Sequence, residues 1–68
     1  MKLYFRDANL NRRLIAENIS EHAEVFKKIN EFLESRNYTA PYIRTWGDDG
    51  EMWFDVGSHT EFFVLSME

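Results

Sequence analysis

The sequence has no cysteine, a single proline at position 41, and only three glycines, all beyond residue 46. Without cysteine no disulfide can staple the chain, and zinc sites built from thiolates are excluded. No apolar run approaches the roughly 18–20 residues that a membrane span needs. The opening Met1-Lys2-Leu3-Tyr4-Phe5-Arg6-Asp7 lacks the long apolar stretch of an export signal. Together these absences lead us to expect a cytoplasmic protein. Basic residues are missing from everything after Arg44. Residues 1–44 hold eight Lys and Arg against six acids, a balance of +2, whereas residues 45–68 hold six acids and no base, a balance of −6. An acidic final third repels a phosphate backbone, so direct nucleic-acid binding is not expected there. A protein with a basic surface suits it better.

What remains is short and rich in rings. Sixty-eight residues make one domain, 1–68, with no room for a second. Domains of this size bury only about 60% of their unfolded-chain surface. Stability must therefore come from a hydrophobic content of 44% and an aromatic content of 16%. Burying one Phe or Leu side chain contributes roughly 1.5–3 kcal/mol, enough for a workable core.

The pattern along the chain predicts an α+β domain of order β-β-α-β-β-β, with one amphipathic helix packed on an antiparallel sheet. Lys2–Arg6 alternates as a strand, with Leu3 and Phe5 on one face. Asp7–Asn11 has turn chemistry. Arg12–Ile19 resumes an extended pattern and completes an N-terminal hairpin, which the adjacent apolar Leu14 and Ile15 can bulge. Ser20 is the expected N-cap of the helix, with Glu21 and Glu24 in the first turn. Ala23, Phe26, Ile29, Asn30 and Leu33 form its stripe, broadened by Val25 and Phe32. The pairs Glu24–Lys28 and Lys27–Glu31 are spaced to attract. Arg36 suits the C-terminal end, Asn37 can take a left-handed cap, and Pro41 forbids continuation.

Three strands follow: Tyr42–Gly47, Glu51–Val56 and Glu61–Met67. Asp49-Gly50 marks a two-residue turn, because both of its positions want positive φ. That fixes a register: Asp48 opposes Glu51, Trp46 opposes Trp53, Thr45 opposes Phe54 and Arg44 opposes Asp55. An indole pair and an ion pair then share one face, while Met52, Phe54 and Val56 share the face the helix can cover. Gly57-Ser58-His59-Thr60 turns the chain again, setting Phe63 beside Phe54 and Leu65 beside Met52. With Phe62 and Val64 apolar as well, the last strand suits an interior place in the sheet.

One helix covers one face, so Tyr42, Trp46, Trp53, Phe62 and Val64 are left on the other. Either the N-terminal hairpin folds over them, a second copy does, or a partner does, since a bare apolar patch of that size is unusual. The candidate partner-binding residues are Tyr42, Trp46, Asp48, Asp49, Glu51, Trp53, Asp55, Glu61 and Phe62: rings for affinity and carboxylates for steering.

The alternatives are weaker in chemistry. Ser58-His59 could supply a nucleophile and base, but adjacent residues rarely aim at one point and no third group orients the imidazole. Asp55, His59 and Glu61 would make a poor metal site. Asp48-Asp49-Gly50-Glu51 lacks the spaced ligands of a calcium loop. His22 reads as a solvated residue of the first helical turn. A base-stacking platform needs a basic groove beside its rings, and the sequence neighbours here are acidic. The expectation is a protein without catalytic residues, metal or cofactor.

The segment Trp53-Phe54-Asp55-Val56-Gly57-Ser58-His59-Thr60-Glu61-Phe62-Phe63 resembles small uncharacterised phage and prophage proteins of Firmicutes, as do Lys2–Arg6 and Arg12–Glu17. The resemblance brings no established activity. It implies a bacterial cytoplasm and an accessory role during infection, such as inhibiting a host or defence protein that handles nucleic acid. A structural or self-assembling module is the alternative, and a small hydrolase or metal-dependent enzyme is a distant third.

Overall fold

Asp49 and Gly50 both take positive φ, 52° and 76°, in a computed structural model that describes residues 1–67, with Glu68 outside them. The tight turn they form joins β3 (Arg44–Asp48) to β4 (Glu51–Asp55). The pairing runs Arg44–Asp55, Thr45–Phe54, Trp46–Trp53, Gly47–Met52 and Asp48–Glu51, the register that the Asp-Gly signal dictates. β5 (Phe62–Ser66) follows after Gly57 and His59, which also hold positive φ. It pairs with β4 so that Phe63 meets Phe54 and Leu65 meets Met52.

The first two strands, β1 (Lys2–Arg6) and β2 (Arg12–Ala16), form the expected hairpin. Asp7 Oδ1 accepts the amides of Asn9 and Asn11, at 2.9 and 3.0 Å, and so shapes its loop. Leu3 opposes Ala16 while Tyr4 opposes Leu14, so Ile15 is the extra residue of a bulge. β2 ends three residues earlier than the pattern predicts. Asn18 turns left-handed, φ 58°, and redirects Ile19 into the core. The hairpin does not fold over the aromatic face. β1 instead pairs with β5, giving one antiparallel sheet in the order β2-β1-β5-β4-β3, with β5 at its centre.

The helix α1 (His22–Ser35) crosses one face of this sheet. Its N-cap position is Glu21 rather than Ser20, whose hydroxyl instead donates to Glu24 Oε1 at 3.1 Å. At the other end Asn37, φ 56°, closes the helix: its amide bonds the Glu34 carbonyl and that of Tyr38 bonds the Leu33 carbonyl. The buried stripe is Val25, Ile29 and Leu33, flanked by Phe32, while Phe26, Ala23 and Asn30 stand outside it. Val25 therefore replaces Phe26 at its centre. The helical ion pair is Lys28–Glu31, three apart at 3.6 Å, in place of the two pairs that spacing suggests.

Against the helix lie Leu3, Phe5, Phe54, Phe63 and Leu65, all buried. Phe5, Phe32 and Phe63 form a ring cluster with centroids 4.8 to 5.6 Å apart. Tyr38 ties the helix end to the sheet, its hydroxyl donating to the Val56 carbonyl at 2.7 Å.

Candidate functional site

Strand alternation places Tyr4, Arg6, Arg12, Leu14, Phe62, Val64, Trp53, Trp46 and Arg44 on the face away from the helix. Its centre is an aromatic cluster. Trp46 and Trp53 stack with centroids 6.2 Å apart and planes 23° from parallel, and Phe62 meets both edge-on at 5.9 and 5.8 Å. Stacked and edge-on contacts of this kind stabilise the sheet beyond simple burial.

Two arginines from the N-terminal hairpin lie over these rings. The Arg6 guanidinium sits 5.4 Å from the centre of Trp53 and 5.0 Å from that of Phe62. Arg12 sits 5.7 Å from Trp53 and continues to Glu51, where it forms a two-pronged ion pair at 2.6 and 3.0 Å. These contacts shield the middle of the face. Val64 is fully buried there, although no helix covers it. Trp53 and Phe62 are half-buried. Trp46 and Tyr42, at the β3 margin, remain 39% and 40% exposed.

The carboxylates divide into paired and free. Asp55 is wholly buried, accepting from Arg44 Nη2 at 2.6 Å and from the Gly57 amide at 2.9 Å. The Arg44 bond, helped by the Gly57 amide and the nearby His59, holds its carboxyl below the ordinary value against the upward pull of burial. The Arg12 bond likewise lowers Glu51. Arg12 and Arg44 are correspondingly raised by the same bonds. Glu61 does not join the aromatic face. It faces Arg36 at 3.7 Å, on the rim of a cleft of about 240 Å³ beneath the helix end, lined by Phe5, Phe32, Tyr38 and Phe63. Asp48 and Asp49 stand exposed at the β3–β4 turn.

Of the nine sequence-derived residues, the fold thus brings Trp46, Trp53 and Phe62 together, while Tyr42, just before β3, meets the Arg44 guanidinium and lines a groove with Leu33, Glu34 and Tyr38. The fold sets Asp48, Asp49 and Glu51 at one corner and commits Asp55 to holding the strand end. Arg6 and Arg12 are the additions. Alternation in Lys2–Arg6 already sets Arg6 opposite Leu3 and Phe5, but only the β1–β5 pairing carries it to the tryptophans. The face is therefore mixed in charge, with Lys2, Arg6, Arg12 and Arg44 beside Asp48, Glu51 and Asp55, and is not acidic throughout.

The Ser58-His59 turn is occupied by backbone bonding. Ser58 Oγ accepts the amides of Glu61 and Thr60 at 2.7 and 3.3 Å and donates to the Glu61 carbonyl at 3.0 Å. His59 is exposed beside it. Among the described residues no group of three or more His, Asp or Glu is arranged to hold a metal, and no helix is long and apolar enough to cross a membrane. Comparison of the chain with family models, curated proteins and solved structures found no match.

Proposed function

We propose that the protein is a non-enzymatic binding module that docks a protein partner on the β3–β4 end of its uncovered sheet face. The observation that carries this reading is Trp46: it stacks on a shielded indole yet exposes 39% of its own surface at the sheet margin. A rigid, half-supported indole loses little freedom on binding, which is the physical character of an interaction hot spot. Asp48 and Asp49, free of any arginine, supply negative charge at the same corner. That corner suits a partner with a basic surface, and the resemblance to phage proteins suggests a host or defence factor blocked by occupation of its nucleic-acid site.

A photo-crosslinking residue at position 46, with position 27 on the exposed helix face as control, tests the reading in host cells. We expect a discrete protein adduct from position 46 alone, lost when Asp48 and Asp49 are both changed to Lys. Equal labelling from both positions, or none from position 46, contradicts it.

A further inference from the structure

We propose that the cleft beneath the helix end is a binding site for a free aromatic α-amino acid, with Arg36 taking its carboxylate and Glu61 its ammonium. This goes beyond the docking reading, because the cleft opens on the helix side of the sheet, away from Trp46.

The walls set the size and polarity of what fits. Phe5, Phe32 and Phe63 line the cleft with Leu33 and Val56, so its interior is apolar and rich in rings. Its volume of about 240 Å³ lies below the roughly 300–1,000 Å³ of pockets for drug-sized ligands. A cavity of about 150 Å³ already accepts benzene, so one phenyl ring and a few further atoms fill this one. Contact with three phenylalanine rings favours a flat aromatic group over a branched aliphatic chain.

The rim selects the charges. Its other polar groups are already committed: the Tyr38 hydroxyl donates to the Val56 carbonyl, and Ser58 Oγ is bonded to the backbone of Thr60 and Glu61. Arg36 and Glu61 are not. They approach only to 3.7 Å, too far for a hydrogen bond, and among the described residues neither side chain has one. The Arg36 guanidinium is held all the same, 4.6 Å from the centre of Phe5 and 4.8 Å from that of Phe32. It is a donor fork pre-set at the mouth of an aromatic cleft.

That loose pair decides the class of ligand. A simple carboxylate must draw Arg36 from Glu61, and a simple amine must draw Glu61 from Arg36, each leaving one charge without its partner. A zwitterion displaces neither. The charges then alternate around a ring (guanidinium, ligand carboxylate, ligand ammonium, Glu61), and every neighbour is opposite in sign. An aromatic α-amino acid keeps both charges at the rim while its one-carbon stem lets the ring drop among the phenylalanines.

The test is a heteronuclear NMR titration of the full chain with L-phenylalanine. The expected result is saturable shifts at Phe5, Leu33, Val56 and Phe63, none at Trp46, and a dissociation constant of about 10 µM to 1 mM, as suits so small a ligand. Three analogues should each bind at least about tenfold more weakly. Phenylpropanoate lacks the ammonium, alanine lacks the ring, and phenylalaninamide lacks the carboxylate and stands for the first residue of a peptide. Arg36→Gln should abolish binding. Because that variant also loses packing on two rings, Glu61→Gln gives a second reading: it frees Arg36, so phenylpropanoate should then bind as well as phenylalanine. Absence of saturation at millimolar phenylalanine overturns the proposal. So do equal affinities for phenylalanine and phenylpropanoate in the unaltered protein, a phenylalaninamide that binds as tightly, or a Glu61→Gln protein that keeps the original preference. None of these outcomes bears on crosslinking from position 46, which stands or falls separately.

Discussion

Arg12 Nη1 and Glu51 Oε2 lie 2.6 Å apart although two whole strands, β1 and β5, stand between theirs. The pair arches diagonally over Trp53 and turns part of an uncovered sheet face into a shielded one. Both side chains are partly exposed, so solvent screens their attraction, and the stabilisation is at most about 1 kcal/mol. Its larger effect is on access to the indole. Glu51→Gln should shift Trp53 emission to longer wavelength, measured in a Trp46→Phe background, with little change in the denaturation midpoint.

The same pair predicts a response to acid. Glu51 has a lower pKa folded than unfolded, so its contribution is complete above the unfolded value and is lost as pH falls through the folded one. Asp55 behaves in the same sense. Stability should therefore be flat near neutrality and fall below about pH 4. Denaturation midpoints from pH 3 to pH 7 measure this, and Asp55→Asn should flatten the acid limb.

Asp55→Asn should also cost stability at pH 7. The amide oxygen can accept from Gly57 or from Arg44 but not from both, and its NH2 group then faces a donor. Leaving a buried polar group unmatched costs about 1–3 kcal/mol. Urea titration with an unchanged slope is the check.

Gly57→Ala should be more damaging. Gly57 has φ 95°, and a Cβ there would stand 2.8 Å from Pro41 Cγ and 3.3 Å from the Tyr38 hydroxyl that holds Val56. Left-handed strain and overpacking together cost about 2–4 kcal/mol. In a domain whose whole stability is only about 0.05–0.15 kcal/mol per residue, that is a large share of the total, and a marked fall in the thermal midpoint by circular dichroism would report it.

How much of this was legible in the chain follows from the range of each interaction. The β3–β4–β5 register came from a local signal, Asp49-Gly50, and propagated by alternation to place Trp46 on Trp53 and Phe63 on Phe54. The helix end was equally local, fixed by Asn37. The helix face was less certain, because Val25 and Phe26 are both apolar and only the sheet beneath decides which points inward. The aromatic site was half legible. Its rings could be gathered from one register, but the arginines that cover them arrive through β1–β5, a pairing between opposite ends of the chain that leaves no local mark. For the same reason carboxylates that read as free steering charges, Glu51 and Glu61, prove to be held by Arg12 and Arg36.

Acrylamide quenching of the two tryptophans separately, in Trp53→Phe and Trp46→Phe proteins, asks most directly whether the β3–β4 end of the face is open to a partner. Trp46 should be quenched readily and Trp53 weakly, as their unequal shielding requires. Two indoles equally protected would mean that this face is already closed, with nothing left on it for a partner to grip.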